Sequence, residues 1–281
     1  MNNRIDEAFK NKPIFMPYFP LGYPDLDTSI DVIEAMAKNG ADLMEVGLSF
    51  SDPLADGPVI QHATQIALDK GITVKKSLEA VKELRKRGVD IPLILMGYYN
   101  PMLAYGLEEF VRDAIDAGAD GFIIPDLPPE EAVEFETVAN EYPLIRMLAP
   151  TTPSERMEMV ARDAKGFVYL VSVTGVTGER KSLSDGLGKL ISRVREHTSA
   201  PVCVGFGIGT PEQAREVGVL ADVVGNISKF GANILNASSE TRENKTVDSY
   251  FTIGVENTNH LEKILSAVRK VKLVQDVKRV G

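Results

Sequence analysis

The chain has 281 residues, of which 44% are hydrophobic and 25% charged, with a formal net charge of −9 and a single cysteine, Cys203. That is apolar material for one large core; the acidic balance excludes a nucleic-acid groove, which needs clustered Lys and Arg, and a lone cysteine excludes a disulfide framework. No stretch approaches the roughly 20 apolar residues of a membrane span.

The opening MNNRIDEAFKNK lacks a hydrophobic signal core, so a cytoplasmic protein is expected. On that expectation the Asn-x-Ser/Thr matches at Asn226, Asn236 and Asn244 are chance. Short apolar runs then recur along the chain at 14–19, 43–47, 93–96, 121–124, 144–147, 167–171, 202–205 and 222–225, each followed by a segment of helical period. Eight such runs alternating with helices predict a parallel sheet, and continuous apolar strands predict that both of its faces are covered. The expected fold is therefore α/β: a single-domain (β/α)8 TIM barrel over 1–281 with extra helices. Asp25 and Asp27 precede one helix and Thr73 another, while Thr152 and Pro153 open a third. NGAD at 39–42 and AGAD at 117–120 echo each other before strands, their glycines placed to close helices. Residues 236–258 are an insertion before the last helix, polar and without clear period through Ser249, and are expected to be mobile. The terminal Lys270, Lys272, Lys278 and Arg279 are spaced like the solvated face of a helix.

In a barrel of this kind the chemistry belongs at the C-terminal ends of the strands. Alternation along 43–48 separates Leu43, Glu45 and Gly47 from Met44, Val46 and Leu48, which points Glu45 inward. A buried carboxylate there is either half of a structural ion pair or catalytic. The next loop, SFSDPLADGPVIQ, holds Asp52 and Asp56 among stiffening prolines; Asp56 reads as a positioned acid or as a helix cap. Glycine-bearing ends follow at 171–180, 204–211 and 223–230, and the latter two come after strands seven and eight, where barrels often bind phosphate. Residues 174–180, with Gly175 and Gly178 around Thr177, read as a lid or as an ordinary loop. His62, His197 and His260 are isolated, so no metal is expected.

The segment MEVGLSFSDPLADGPVIQ (44–61), followed in order by MGYYNP, PDLPPEE, YLVSVTGVTG and GFGI and preceded by PYFPLGYPD, resembles tryptophan synthase α subunits. The resemblance implies cleavage of indole-3-glycerol phosphate to indole and glyceraldehyde 3-phosphate. It implies Glu45 and Asp56 as catalytic groups, Tyr18 in the indole pocket, Tyr169 lining the site, Thr177 as the lid threonine, and Gly178, Gly207 and Gly225 around the phosphate. Asn226 stands where a phosphate-contacting Ser is common, a departure from the pattern; the length of 236–258 is another. No cofactor is implied for this chain. A partner β subunit carrying pyridoxal phosphate is implied, in an α2β2 heterotetramer that passes indole between sites.

The chemistry fits the residues. Indole C3 must be protonated before the carbon–carbon bond can break, which a carboxylic acid such as Glu45 does if burial raises its pKa. An ionised Asp56 then stabilises positive charge at the indole N–H. Another phosphate-binding barrel isomerase or aldolase, and a non-catalytic barrel that regulates a partner enzyme, are the alternatives.

Overall fold

The computed structural model describes residues 4–10, 14–171, 187–205, 208, 210–241 and 247–280. It resolves two compact units, Met1–Arg146 with Ala164–Phe167, and Met147–Asp163 with Val168–Gly281.

The first unit begins with a short helix α1 (Arg4–Ala8) and continues as successive β/α units. Strand β1 (Tyr18–Pro20) leads to α2 (Leu26–Lys38), and β2 (Met44–Gly47) to α3 (Pro58–Asp69) and α4 (Val74–Lys86). Strand β3 (Leu93–Met96) precedes α5 (Tyr99–Tyr105) and α6 (Leu107–Ala117), and β4 (Gly121–Ile123) precedes α7 (Val133–Ala139). The four strands form one parallel sheet in the order β1-β2-β3-β4. Register explains its two faces. Val46, Leu95 and Phe122 are cross-strand neighbours and join an apolar cluster with Leu78, Val81 and Leu84 of α4. The alternate row, Tyr18, Glu45, Ile94 and Gly121, lies outside that cluster.

The start signals act as expected. Asp25 accepts the Thr28 N–H at 2.8 Å, and Thr73 accepts that of Lys76 at 3.2 Å. The echoed Gly-Ala-Asp triplets perform one function twice. Gly40 and Gly118 turn the chain at φ +105° and +101°, conformations that only glycine adopts cheaply. The aspartate two residues on then ties the start of a neighbouring strand: Asp42 accepts the N–H of Phe15 at 2.9 Å, and Asp120 that of Leu93 at 2.8 Å. Asp120 also binds Arg4 at 2.9 Å and Arg85, whose guanidinium holds the carbonyls of Gly118 and Ile91.

In the second unit, β5 (Arg146–Leu148), which straddles the boundary, is followed by α8 (Ser154–Arg162), β6 (Val168–Val171), α9 (Leu187–Arg195), β7 (Val202–Gly205) and α10 (Pro211–Lys229). The sheet order is β5-β6-β7, and Tyr169 stands opposite Cys203. The strand expected at 222–225 is instead the middle of α10. Its apolar residues continue a helical stripe, Val217, Leu220, Val223, Val224 and Ile227, all buried, so helical period governs the whole segment.

Within the insertion, β8 (Asn233–Thr241) and β9 (Val247–Gly254) pair antiparallel as a hairpin, with Ile234 opposite Ile253. From Tyr250 to Ile253 exposure alternates with period two, which accounts for a strand in what reads as an irregular stretch. Helix α11 (Thr258–Val268) follows and ends before Lys270, so the basic tail is not a helical face.

The Asp120 cluster yields a stability prediction. Arg85 and Asp120 are mostly buried, with side chains 13% and 9% exposed, and removing one partner of such a pair costs about 3–5 kcal/mol. Asp120→Ala should lower unfolding free energy by an amount in that range in urea titration; a loss under about 1 kcal/mol would show that the cluster is a surface ornament.

Candidate active site

Glu45 occupies the middle of β2 and is 4% exposed. Its chain neighbours Met44 and Val46 both enter the apolar cluster, so strand alternation turns Glu45 to the opposite face, opposite Tyr18 on one side and Ile94 on the other.

Asp56 is delivered to the same region by the loop after β2. The loop is turned by backbone bonds, Leu54 N–H to Asp52 O at 3.0 Å and Asp56 N–H to Pro53 O at 3.1 Å. The Gln61 amide fastens the Asp56 carbonyl at 2.9 Å. Asp56 does not cap α3: Gly57 occupies the cap position, Pro58 opens the helix, and no side chain serves as the cap. The carboxylate instead accepts the Tyr98 hydroxyl at 3.1 Å, and the same hydroxyl accepts the Ala55 N–H at 2.9 Å. Asp52 is exposed and accepts from Ser51.

Tyr98 is a member of the site that the sequence reading passed over. It follows β3 within MGYYNP, is 4% exposed, and its ring lies 5.5 Å from that of Phe50. Its tyrosine type in a glycine-flanked strand end was the available signal; its contact with a residue 42 positions away was not. Burial pushes the Asp56 carboxyl above the ordinary aspartate range, and the Tyr98 hydrogen bond opposes that rise. Burial and then the Asp56 charge push the Tyr98 hydroxyl above the tyrosine range.

Tyr18 reaches across from β1. A Cβ on Gly47 would fall 2.3 Å from the Tyr18 Oη, so the absent side chain at 47 makes room for the phenol. Burial, followed by the charges of Asp56 and Glu45, holds its hydroxyl protonated well above the usual range. Tyr18, Glu45, Asp56 and Tyr98 are thus one polar group set into an apolar sheet face.

In the second unit Tyr169 is buried on β6 and overlies Gly205 in the same manner, a Cβ there falling 1.8 Å from its hydroxyl oxygen. Cys203 is buried on β7, as its apolar run implied. Gly225 and Asn226 do not end a strand: both lie within α10, where the Asn226 amide donates to the carbonyl of Asp222 at 2.9 Å and nothing lies within 4 Å of a Cβ placed on Gly225. Asn226 borders a cleft of about 220 Å³ with Asp222, Lys270 and Lys272. Thr177, Gly178 and Gly207 lie outside the described residues. Among the described residues no group of His, Cys, Asp and Glu could hold a metal, and no helix is long and apolar enough to cross a membrane.

Comparison with known proteins gives a consistent result. A family model described as tryptophan synthase alpha chain matches residues 6–272. The chain is 50% identical over 223 residues to a tryptophan synthase alpha chain of Roseiflexus, covering 77% of this chain and 85% of that one. It is 44% identical over 272 residues to the alpha chain of Dehalococcoides mccartyi, covering 96% and 98%. Among solved structures, tryptophan synthase of Mycobacterium tuberculosis superposes with a TM-score of 0.70 at 33% identity, covering 81% of this chain and 91% of that one. The alpha chain of Legionella pneumophila superposes with a TM-score of 0.69 at 34% identity, covering 82% and 90%.

The raised proton affinity of Asp56 has a consequence for stability. The folded state holds the Asp56 proton to higher pH than the unfolded chain does, so this group's contribution is fully present at low pH and lost as pH rises through the raised value. Asp56→Asn, which can still accept from Tyr98, should therefore raise the Tm at neutral pH, and the gain should shrink as pH falls into the ordinary aspartate range. A variant less stable than the parent at neutral pH would contradict this.

Proposed function

The chain belongs to the tryptophan synthase alpha chain family, and on that premise we propose how its own residues perform the reaction. Its fold class is the (β/α)8 barrel, and it is a carbon–carbon lyase of tryptophan biosynthesis that cleaves indole-3-glycerol phosphate to indole and glyceraldehyde 3-phosphate. We count 1–281 as one domain, with 236–258 inserted in it, because the family match runs from 6 to 272.

One observation carries the assignment of roles: two carboxylates, 4% and 7% exposed, are set around the ends of β1 to β3 with two tyrosines. Asp56 caps no helix, and Glu45 lies in register with Tyr18 and Ile94, in the sheet row that also holds Gly121. Glu45 protonates indole C3; its conjugate base then takes the proton of the adjacent side-chain hydroxyl as the bond breaks and the aldehyde forms. Asp56, ionised, accepts the indole N–H and stabilises the indolenine cation. Two acids in different surroundings can take these opposite roles. Tyr18 is assigned to the indole ring, and Tyr169 is assigned to substrate on the family's pattern alone. Thr177, Gly178 and Gly207 take the phosphate, whose binding energy is applied at a distance from the reacting carbon. This chain needs no cofactor for that sequence of proton transfers.

Chains of this family act with a β subunit. We assign the pyridoxal phosphate to that subunit, in an α2β2 assembly where indole passes directly to it. Its contact falls on the loops after β2, β3 and β4. Met102 and Leu127 are not part of that surface, since both are buried in the apolar cluster. Leu54 on the loop after β2, and Val59, Leu103 and Val133 on helices α3, α5 and α7 that follow those strands, are exposed apolar side chains, at 86%, 77%, 47% and 68%.

Two experiments test the assignment. Glu45→Gln should release indole at least about 10³-fold more slowly, as loss of a general acid–base group requires, while retaining substrate binding; near-parental turnover would remove Glu45 from the mechanism. Val133→Lys should leave the isolated chain's turnover unchanged and weaken its co-sedimentation with the β subunit about tenfold or more. Undiminished association would move the contact to another face.

A further inference from the structure

Asp126 lies on the loop after β4, apart from the carboxylates and tyrosines of the site, and is bonded to the element that carries Tyr98. Helix α5 starts directly after Tyr98, whose side chain does not cap it. The first N–H groups of a helix have no partner inside it. Here the first of them, that of Tyr99, donates to Oδ1 of Asp126 at 2.9 Å, across 27 positions of sequence. The Tyr99 ring meets Phe135 of α7 edge-on at 6.4 Å, and Leu127, next to Asp126, is buried in the apolar cluster with Met102 of α5. The opening turn of α5 and the loop after β4 are therefore one packed piece of the first unit. Tyr98 stands at its edge. From there its hydroxyl reaches the loop after β2, accepting the Ala55 N–H at 2.9 Å and donating to Oδ2 of Asp56 at 3.1 Å.

We infer that Asp126 is a positioning residue for Asp56: by fixing the first turn of α5 it sets the Tyr98 hydroxyl where that hydroxyl holds the Asp56 carboxylate. The inference rests on the role proposed for Asp56. The Tyr99 N–H belongs to the same planar peptide unit as the Cα of Tyr98, so a bond on that N–H fixes ψ of Tyr98. That residue is still extended, at φ −91° and ψ 153°, and the chain turns helical immediately after it. Where the phenol oxygen lies depends on how this one peptide is held. The groups acting on the centre are Tyr18 from β1, Glu45 from β2, Asp56 from the loop after it, Tyr98 after β3 and Asp126 after β4. Burial and the charge of Asp56, with a smaller contribution from Asp126, keep the Tyr98 hydroxyl protonated, so it remains a donor. The charge and the bond of Asp126 act in opposite senses on Asp56. Its charge disfavours an ionised Asp56, whereas its bond, through Tyr98, supports one.

The test is the pH dependence of kcat/KM for indole release by the full chain without its β subunit, so that altered association does not enter. The variants are Asp126→Ala, Asp126→Asn, Tyr98→Phe and the double Asp126→Ala, Tyr98→Phe; Asp126 is exposed, so changing it leaves the core intact. The acid limb reports ionisation of Asp56. Tyr98→Phe keeps the ring and removes the donor, and should move that limb to higher pH by about one unit, the size expected for a hydrogen bond to a charged group. Asp126→Ala should move it the same way by about half a unit and lower kcat about tenfold, because a misplaced group costs rate. Asp126→Asn keeps the acceptor and loses the charge, so its limb should stay at or slightly below the parent's. In the double variant Asp126→Ala should add nothing to Tyr98→Phe, because both act through one hydroxyl. An unmoved limb in Asp126→Ala overturns the inference even if the Tm falls, since the bond is then a helix cap and nothing more. A limb displaced as far in Asp126→Asn as in Asp126→Ala overturns it, and so do additive shifts in the double variant. Parental turnover in Asp56→Asn would withdraw the role of Asp56 itself, a result distinct from an unmoved limb in an enzyme that still depends on Asp56.

Discussion

The hydrogen bond from Tyr98 to Asp56 joins the loop after β2 to the end of β3 across 42 positions of sequence, and the site's geometry hangs on it. Asp56 sits on a loop, the part of a fold with the least intrinsic order. Two bonds convert that loop into a fixed arm: the Tyr98 hydroxyl receives the Ala55 N–H and donates to the carboxylate one residue on. A backbone amide and a side chain are thus held by a single oxygen, and that oxygen is held by a buried ring next to Phe50. The register of the sheet does the rest. Because side chains alternate with period two, a shift of one residue between β1 and β2 would turn Glu45 into the apolar cluster and Val46 into the site. The cluster formed by Met44, Val46, Leu95 and Phe122 therefore fixes the register that places the acid.

What could be read from the sequence follows from the range of the physics involved. Glu45 was legible because alternation is local: four neighbours suffice to say which way it points. The Asp42 and Asp120 triplets were legible as repeated strand entries, though their bonds to Phe15 and Leu93 were not, since those partners lie 27 residues away in each case. Asp56 remained open between a helix cap and a catalytic acid because both uses want the same residue next to Gly-Pro; only the position of Tyr98 separates them. Residues 222–225 failed for a different reason. Four apolar residues between polar ones have no period of their own, and the stripe that makes them helical appears only when Val217 and Leu220 are counted with them. In the insertion, composition outweighed pattern: a polar run conceals the alternation that begins to show from Tyr250 onward.

The two units share a local device. Tyr18 stands opposite Glu45 and overlies Gly47; Tyr169 stands opposite Cys203 and overlies Gly205. In both, a tyrosine leans along its parallel neighbour and occupies the space left by a glycine two residues beyond its register partner. The geometry has a simple origin. Side chains of a strand lean along its direction, so a long rigid ring reaches the second same-face residue of the adjacent strand, where only hydrogen leaves it room. The residue between, at the register position itself, is overhung by the ring. In the first unit that residue is the acid, and the ring shields it from water, which strengthens every electrostatic interaction it makes. In the second it is a buried thiol, and the same device serves packing.

On the roles proposed for them, activity and stability draw on the same carboxylates in opposite senses. Burial is what lifts the Asp56 proton affinity, and in the proposed mechanism an ionised Asp56 is what the indole cation requires, so the working form is the one the fold holds least willingly. Tyr98 lessens that conflict without removing it, since one hydroxyl replaces only part of the water that a carboxylate gives up. A cation in the indole position would supply the rest. The substrate is neutral at its ring when it enters and positive only after C3 is protonated, so the missing partner of Asp56 arises during the reaction and vanishes at its end. An arginine built beside Asp56 would hold the carboxylate ionised permanently and would cost the difference between the two states. A site that leaves Asp56 incompletely satisfied in the resting enzyme is thereby selective for the charged intermediate over the neutral substrate, which is the condition for lowering the barrier and not merely for binding.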